Sequence, residues 1–289
     1  MSKSKSHSAK FNPIIETDDD TLFIPQVRGW SLEKYRLVGS YCDIFTQGMK
    51  NRWDQLVYLD LFAGAGYSHN TDDGKIYKSS ALIAMSIPHP FTKYILCESD
   101  PERYEALSKR LVREFSHLNY KLIPGDNDQN VEAILSEIPS FGKGNTMLPF
   151  CFLDPYSLNF KFSIVEALSK GLMDFLTLQA LHMDGNRNLK SYLNENNERI
   201  ADYLGMPNWR ELFAKDVVKH SNNFVKFLAD LYQGQMVKLG YQEEKLMHHI
   251  KSNEQHLPLY YLAFYSKSSR GTDFFDKVRR GINSQMSFL

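Results

Sequence analysis

Four acidic side chains close apolar runs along this chain: Asp60 after LVYL, Glu98 after YILC, Asp126 after YKLIPG and Asp154 after PFCFL. A short apolar run ending in a carboxylate reads as a buried parallel strand whose carboxyl end opens on a crevice, where open α/β sheets bind ligands. The first run leads into Leu61-Phe62-Ala63-Gly64-Ala65-Gly66. Glycine at 64 and 66 permits a sharp turn and a close approach to a ligand, with Phe62 in the same turn, while Asp60 accepts a hydrogen bond from the ligand or braces the loop. Glu98 is placed to take two ribose hydroxyls, although it follows Gly66 by 32 positions where a compact dinucleotide unit has about 20. The surplus is the stretch 67–79, which either covers the ligand or forms a surface hairpin. Asp126 and Asn127 suit an adenine amino group as well as they suit an ordinary turn.

Asp154 marks a possible reaction edge. Pro155 cannot donate within a central ladder, so the chain leaves the sheet there and Asp154 faces the crevice. A carboxylate so placed orients an amine or hydroxyl being alkylated and takes up developing positive charge; the competing role is a cap for the helix predicted over about 162–169. Tyr156 and Ser157 can stack on, or hydrogen-bond, a planar substrate. Arg187, in the loop HMDGNRNL, suits a substrate carboxylate or phosphate. Lys34, on a helix predicted over 31–51 with Ser31 as its N-cap, either points to the ligand mouth or lies solvated on an amphipathic face.

These residues need elements to hold them. Strands are expected near 57–61, 94–98, 120–127, 149–157, 173–181 and 257–267, alternating with helices in the first two thirds of the chain, which is the pattern of an α/β fold with a mostly parallel, doubly wound sheet. Residues 1–20 are polar and read as a mobile tail; 21–181 with 257–289 form the α/β unit; and 182–256 form a helical insertion with breaks at Gly205-Met206-Pro207 and Gly240. Its spaced aromatics read as the insertion's own core, and His248, His249 and His256 as surface residues without metal-ligand company.

Lys plus Arg and Asp plus Glu each number 34 among 289 residues, so any nucleic-acid footprint has to be local. Cys42, Cys97 and Cys151 are far apart and read as small buried hydrophobes in a reducing compartment, which places the chain in the cytoplasm. No metal-ligand spacing, membrane-length apolar run or signal-peptide pattern is present.

The ordered set DLFAGAG, CESD, PGDN and FLDPY resembles class I S-adenosylmethionine-dependent methyltransferases, with a Rossmann-like fold. Over roughly 30–280 the chain resembles more narrowly the three-Cys-motif partner proteins (TcmP). Trp30-Ser31-Leu32-Glu33-Lys34 matches their WxxxK-like start, Ser79-Ser80-Ala81-Leu82 their delayed helix, Arg187-Asn188 their arginine after the fifth strand, and YYLAF their closing strand. The resemblance implies S-adenosylmethionine at Asp60, Gly64, Gly66 and Glu98, with Asp126 beyond them. It also implies a partner similar to iron-sulfur radical enzymes, whose cysteines give the family its name. The chain departs from amino-methylating DNA enzymes, having Asp154-Pro155-Tyr156-Ser157 in place of DPPY, and it has no Pro-Cys nucleophile. Two functions follow as expectations: methyl transfer to an unidentified acceptor, nucleic acid or protein among them, or a non-catalytic specificity partner that keeps the nucleotide-binding fold.

Overall fold

The computed structural model describes residues 11–185, 188–215, 223–243, 248–251 and 258–286. Seven strands form the central sheet: β3 (Gln55–Asp60), β6 (Lys93–Glu98), β7 (Tyr120–Pro124), β8 (Met147–Leu153), β9 (Asp174–Gln179), β10 (His248–Lys251) and β11 (Pro258–Tyr265). Their spatial order is β10-β11-β9-β8-β3-β6-β7. The five strands from β7 to β9 run parallel, and β11 lies antiparallel between β9 and β10. Counted in chain order within this sheet the arrangement is 3-2-1-4-5-7-6, a doubly wound sheet whose direction of winding reverses between β3 and β8.

The two faces follow from strand alternation. Val57 and Leu59 of β3 join Cys151, Leu153 and Phe175 under α4 (Val131–Glu137), α5 (Phe162–Leu168) and the helices of the later chain. Leu56 and Tyr58 join Phe150, Phe152 and Leu96 under α1 (Trp30–Met49), α2 (Ser80–Met85) and α3 (Pro101–Phe115). Both faces are covered, which is why these strands read as continuous apolar runs. All three cysteines are buried and free. Among the described residues no helix is long and apolar enough to cross a membrane.

A second, small sheet is built on a hairpin, one of the two alternatives expected for 67–79; its two flanking strands have no counterpart in the expectations above. The stretch 67–79 is a hairpin of β4 (Tyr67–Asn70) and β5 (Lys75–Lys78), flanked by β1 (Glu16–Thr17) and β2 (Gln26–Val27). Residues 11–20 are therefore not a mobile tail; residues 1–10 lie outside the described residues. Two charged contacts secure the segment. Arg110, on α3 and fully buried, holds Asp20 through two hydrogen bonds of 2.9 and 2.6 Å, and Arg113 adds a third at 2.8 Å. At the other end Asp72 accepts from the Gly29 backbone N–H at 2.8 Å, an anion at the N-terminus of α1. The helix thus starts at Trp30, and Ser31 is buried inside its first turn instead of capping it.

Burial raises the Asp20 carboxyl, but the hydrogen bonds from Arg110 and Arg113 outweigh it and bring it down to about 2 from 3.8. A carboxyl depressed in the folded state stabilises above its unfolded value and ceases to do so as pH falls through its folded value. The clamp is expected to contribute about 1–2 kcal/mol above pH ~4, discounted for partial solvent screening, and to lose it as pH approaches ~2. Urea melts of wild type and Asp20→Asn between pH 5 and 2.5 check this: the gap between the two narrows with acid.

The later chain packs on the first of the two cores. A π-helical turn, Leu181–Gly185, precedes α6 (Leu189–Tyr192), α7 (Arg199–Leu204), α8 (Trp209–Lys215) and α9 (Phe224–Lys238). Trp209, Tyr203, Phe224 and Tyr232 are buried in the same cluster as the strands' apolar side chains, so these helices share the sheet's core. Gly205, at φ 61°, ends α7, and Gly240, at φ 88°, follows α9. His248 and His249 belong to strand β10, so the region expected to be helical contains a strand at His248–Lys251. His256 lies outside the described residues. α10 (Ser269–Met286) closes the chain and sends Phe275 into the second core.

Candidate functional site

At the switch point, beyond the carboxyl ends of β3 and β8, lies a cleft of about 730 Å³, within the range of small-molecule sites. Its floor is the turn after β3, whose backbone groups are tied to their surroundings. Phe62 N–H donates to Asp60 Oδ1 (3.0 Å), Ala63 N–H to the Cys97 carbonyl (2.9 Å) and Gly64 N–H to Glu98 Oε2 (2.8 Å). The Leu61 carbonyl accepts from Asn127 Nδ2 (2.6 Å), the Ala65 carbonyl from Arg110 Nη1 (2.7 Å) and the Gly66 carbonyl from Ser79 N–H (2.7 Å). A turn so fully bonded is preorganised.

Each glycine has its own reason. Gly64 has φ 68°, and a Cβ placed on it meets nothing within 4 Å, because it would stand in the cleft. Gly66 has φ 90°, and a Cβ there would come within 2.9 Å of Leu82 Cδ1 and 3.1 Å of Leu107 Cδ1. Gly66 thus faces α2 and α3 and does not line the cleft, contrary to the expectation that it meets the ligand.

Asp60 is a brace. It is fully buried, accepts from Phe62 N–H and from Tyr58 Oη (3.1 Å), and does not line the cleft. Burial pushes its carboxyl up to about 7 against the pull of the Phe62 N–H bond, with the Asp154 carboxylate adding to the rise. Glu98 does line the cleft. Its two oxygens accept from Gly64 N–H and Asp100 N–H (2.9 Å), so it locks the glycine turn to the start of α3. A carboxylate has about four acceptor positions, which leaves Glu98 capacity for ligand hydroxyls. Phe62 also lines the cleft and stands edge-on to Phe160. Asp126 does not reach the cleft: it is exposed, and its backbone carbonyl accepts from Asn130. The neighbouring Asn127 gives its Nδ2 to the Leu61 carbonyl, while its buried Oδ1 has no hydrogen-bond partner among the described residues.

The opposite wall holds an ion pair. Lys34 Nζ, on α1, lies 2.5 Å from Asp154 Oδ2, just beyond β8. Lys34 is not the solvated lysine of an amphipathic helix, being 8% exposed. Burial alone would lower its ammonium, but the Asp154 carboxylate, with Tyr35 and Tyr260 nearby, outweighs burial and keeps it protonated. Nor does Asp154 cap α5, whose N-cap is Lys161. Trp30, one turn before Lys34, packs on Tyr260 of β11 at 4.8 Å between ring centroids, and both line the cleft. Tyr156 stands at the mouth, 89% exposed.

The loop after Asp154 is fixed from a distance. Asp184, buried in the π-helical turn, accepts from Leu158 N–H (2.8 Å), Asn188 Nδ2 (2.5 Å) and Tyr192 Oη (2.6 Å). Arg187 lies outside the described residues. Arg110 and Arg103 gave no signal in the sequence. Arg110 is one of several charges on an outer helix, and only the fold shows it buried. Arg103 lines the cleft with its Nε buried and unpartnered. A second depression of about 400 Å³ between Asn159 and Arg199 is lined by polar residues and shares Asn159 with the cleft.

The strand order and the switch-point cleft together define a Rossmann-like, doubly wound α/β fold. No family model matches the chain, and no curated protein matches its sequence. Among solved structures, one similar fold is the precorrin-6y C5,15-methyltransferase of Geobacter metallireducens, at 14% identity and TM-score 0.42, covering 88% of this chain and 98% of that one. Another is Pyrococcus horikoshii TYW2 in complex with MeSAdo, at 11% identity and TM-score 0.41, covering 89% and 72%. A third is Pyrococcus horikoshii Trm1 with S-adenosyl-L-methionine, at 11% identity and TM-score 0.39, covering 83% and 57%.

Proposed function

We propose that the chain binds S-adenosylmethionine in the switch-point cleft and transfers its methyl group to an acceptor held beside Asp154. The observation that carries this reading is the facing of two prepared walls across one cleft: the braced Gly64 turn with Glu98 on one side, the Lys34–Asp154 pair on the other. The fit is chemical as well as spatial. Gly64 leaves open the space a Cβ would fill, and Glu98 retains acceptor capacity for a ribose. When bound, the sulfonium supplies an already activated methyl group. The chain's own residues then have to align donor and acceptor and exclude water. Asp154 orients the acceptor and receives its proton, Lys34 holds Asp154 in place, and Trp30, Tyr260 and Tyr156 form flat walls for the acceptor.

We also assign the chain to the three-Cys-motif partner group, because the residues of that resemblance converge on this cleft. Trp30 and Lys34 of the WxxxK-like start meet, respectively, Tyr260 of the closing strand and Asp154 of FLDPY. The second reading, a specificity subunit for an iron-sulfur protein, draws support from Tyr156, a large exposed aromatic where a partner would sit.

Incubation with radiolabelled methyl donor and cell extract separates the two readings. Wild type is expected to label an acceptor and Asp154→Ala to lower that rate about 100-fold or more. Labelling that survives Asp154→Ala removes Asp154 from the chemistry. Donor binding without any labelling favours the partner reading.

A further inference from the structure

We propose that the methyl acceptor is a hydroxyl oxygen, selected by the Lys34 ammonium, and not an amine nitrogen; this deepens the methyl-transfer reading and rests on it. A buried ion pair is weak support for a fold, since well-packed apolar residues in its place do as well or better. A desolvated pair in the wall of a cleft therefore points to a role in the cleft. Lys34 has three N–H donors. Asp154 Oδ2 accepts one, and among the described residues the other two have no hydrogen-bond acceptor, only the faces of Trp30 and Tyr35, at 5.9 and 5.2 Å from Nζ.

The free donors of the Lys34 ammonium decide the acceptor, since its charge is balanced by Asp154. An amine nitrogen has a single lone pair, which its attack on the sulfonium methyl consumes, leaving nothing to accept from those donors, whereas a hydroxyl oxygen keeps a second lone pair. A hydroxyl becomes negative as its proton leaves, and the same ammonium stabilises it. Asp154 supplies the other half, because its Oδ1 has no hydrogen-bond partner among the described residues. The step balances as follows. The acceptor oxygen forms a bond to the methyl carbon while the carbon–sulfur bond of the sulfonium donor breaks, leaving a neutral thioether. The hydroxyl proton passes to Asp154 Oδ1 and from there to solvent at the mouth marked by Tyr156. The rings of Trp30, Tyr260 and Tyr156 suit a planar acceptor.

The test uses 4-nitrophenol, whose ionisation near neutral pH is read from its colour, and 4-nitroaniline, which has the same outline and no acidic hydroxyl. Each is added to the full chain saturated with S-adenosylhomocysteine, with saturation first verified calorimetrically. A chain that gives no calorimetric binding loses the cofactor reading itself, a failure distinct from failure of the present proposal. With saturation verified, nitrophenol is expected to bind as the phenolate, its apparent pKa lowered by about one unit, a tenfold preference for the anion. Nitroaniline is expected to bind at least about tenfold more weakly, and Lys34→Met to abolish the pKa shift. Equal binding of the two probes, no binding of nitrophenol, or an unchanged shift in Lys34→Met overturns the proposal. Should Lys34→Met fail to fold, the two-probe comparison on wild type decides alone.

Discussion

Gly64→Val is expected to remove most of the stabilisation that S-adenosylmethionine or S-adenosylhomocysteine gives the wild-type chain, about 2.7 kcal/mol at 100 times the dissociation constant. Two effects combine at this position. A β-branched residue at φ 68° is strained by more than about 1 kcal/mol, and its side chain enters the space the ligand needs. Gly74 provides the control. It has φ 73°, also meets nothing within 4 Å, and lies at the tip of the β4–β5 hairpin away from the cleft. Gly74→Val carries the same kind of strain and should keep the ligand-induced shift. Paired thermal melts with and without ligand check this, and equal loss in both variants would mean that strain, and not occupancy of the cleft, governs the effect.

Arg110→Met is expected to lower folding stability by about 3–5 kcal/mol in urea melts. The guanidinium is fully buried, gives two hydrogen bonds to Asp20 and one each to the carbonyls of Phe23 (3.0 Å) and Ala65 (2.7 Å), and lies over the Tyr67 ring at 4.1 Å. Methionine fills much of the volume but leaves two carbonyls unpaired and Asp20 with only Arg113 and the Leu22 N–H. Because Arg110 holds both the N-terminal segment and the glycine turn, ligand binding should weaken along with stability. Asp20→Asn added to Arg110→Met should do little more, since both remove one network. A loss below about 1 kcal/mol would show that solvent or a shifted side chain replaces the guanidinium.

The sheet was legible because its strands are buried on both faces, and continuous apolar runs such as LVYLD and PFCFLD have few other uses. The positions of the glycine turn, Glu98 and Asp154 were legible for a related reason, since a carboxylate ending such a run stands near the carboxyl edge of the sheet, though Asp60 and Asp126, read by the same rule, do not line the cleft. The partner of Asp154 was not. Lys34 lies 120 positions away, and on its own helix it has the spacing of any solvated lysine. Only the crossing of α1 over the end of β8 turns it inward. The same applies to Asp20, which sits in a polar stretch with every mark of a mobile tail until α3 supplies two arginines. Asp60 and Gly66 were correctly seen as demanded by the turn, but their demand comes from behind it: hydrogen bonds for the one, Leu82 and Leu107 for the other. Sequence spacing locates a turn without saying which side of it a ligand occupies.

Calorimetric titration of the wild-type chain with S-adenosylhomocysteine tests the central claim most directly. Saturable binding at one site per chain, lost in Gly64→Val, is the predicted result; no heat of binding and no thermal stabilisation at saturating ligand would contradict the assignment of the cleft.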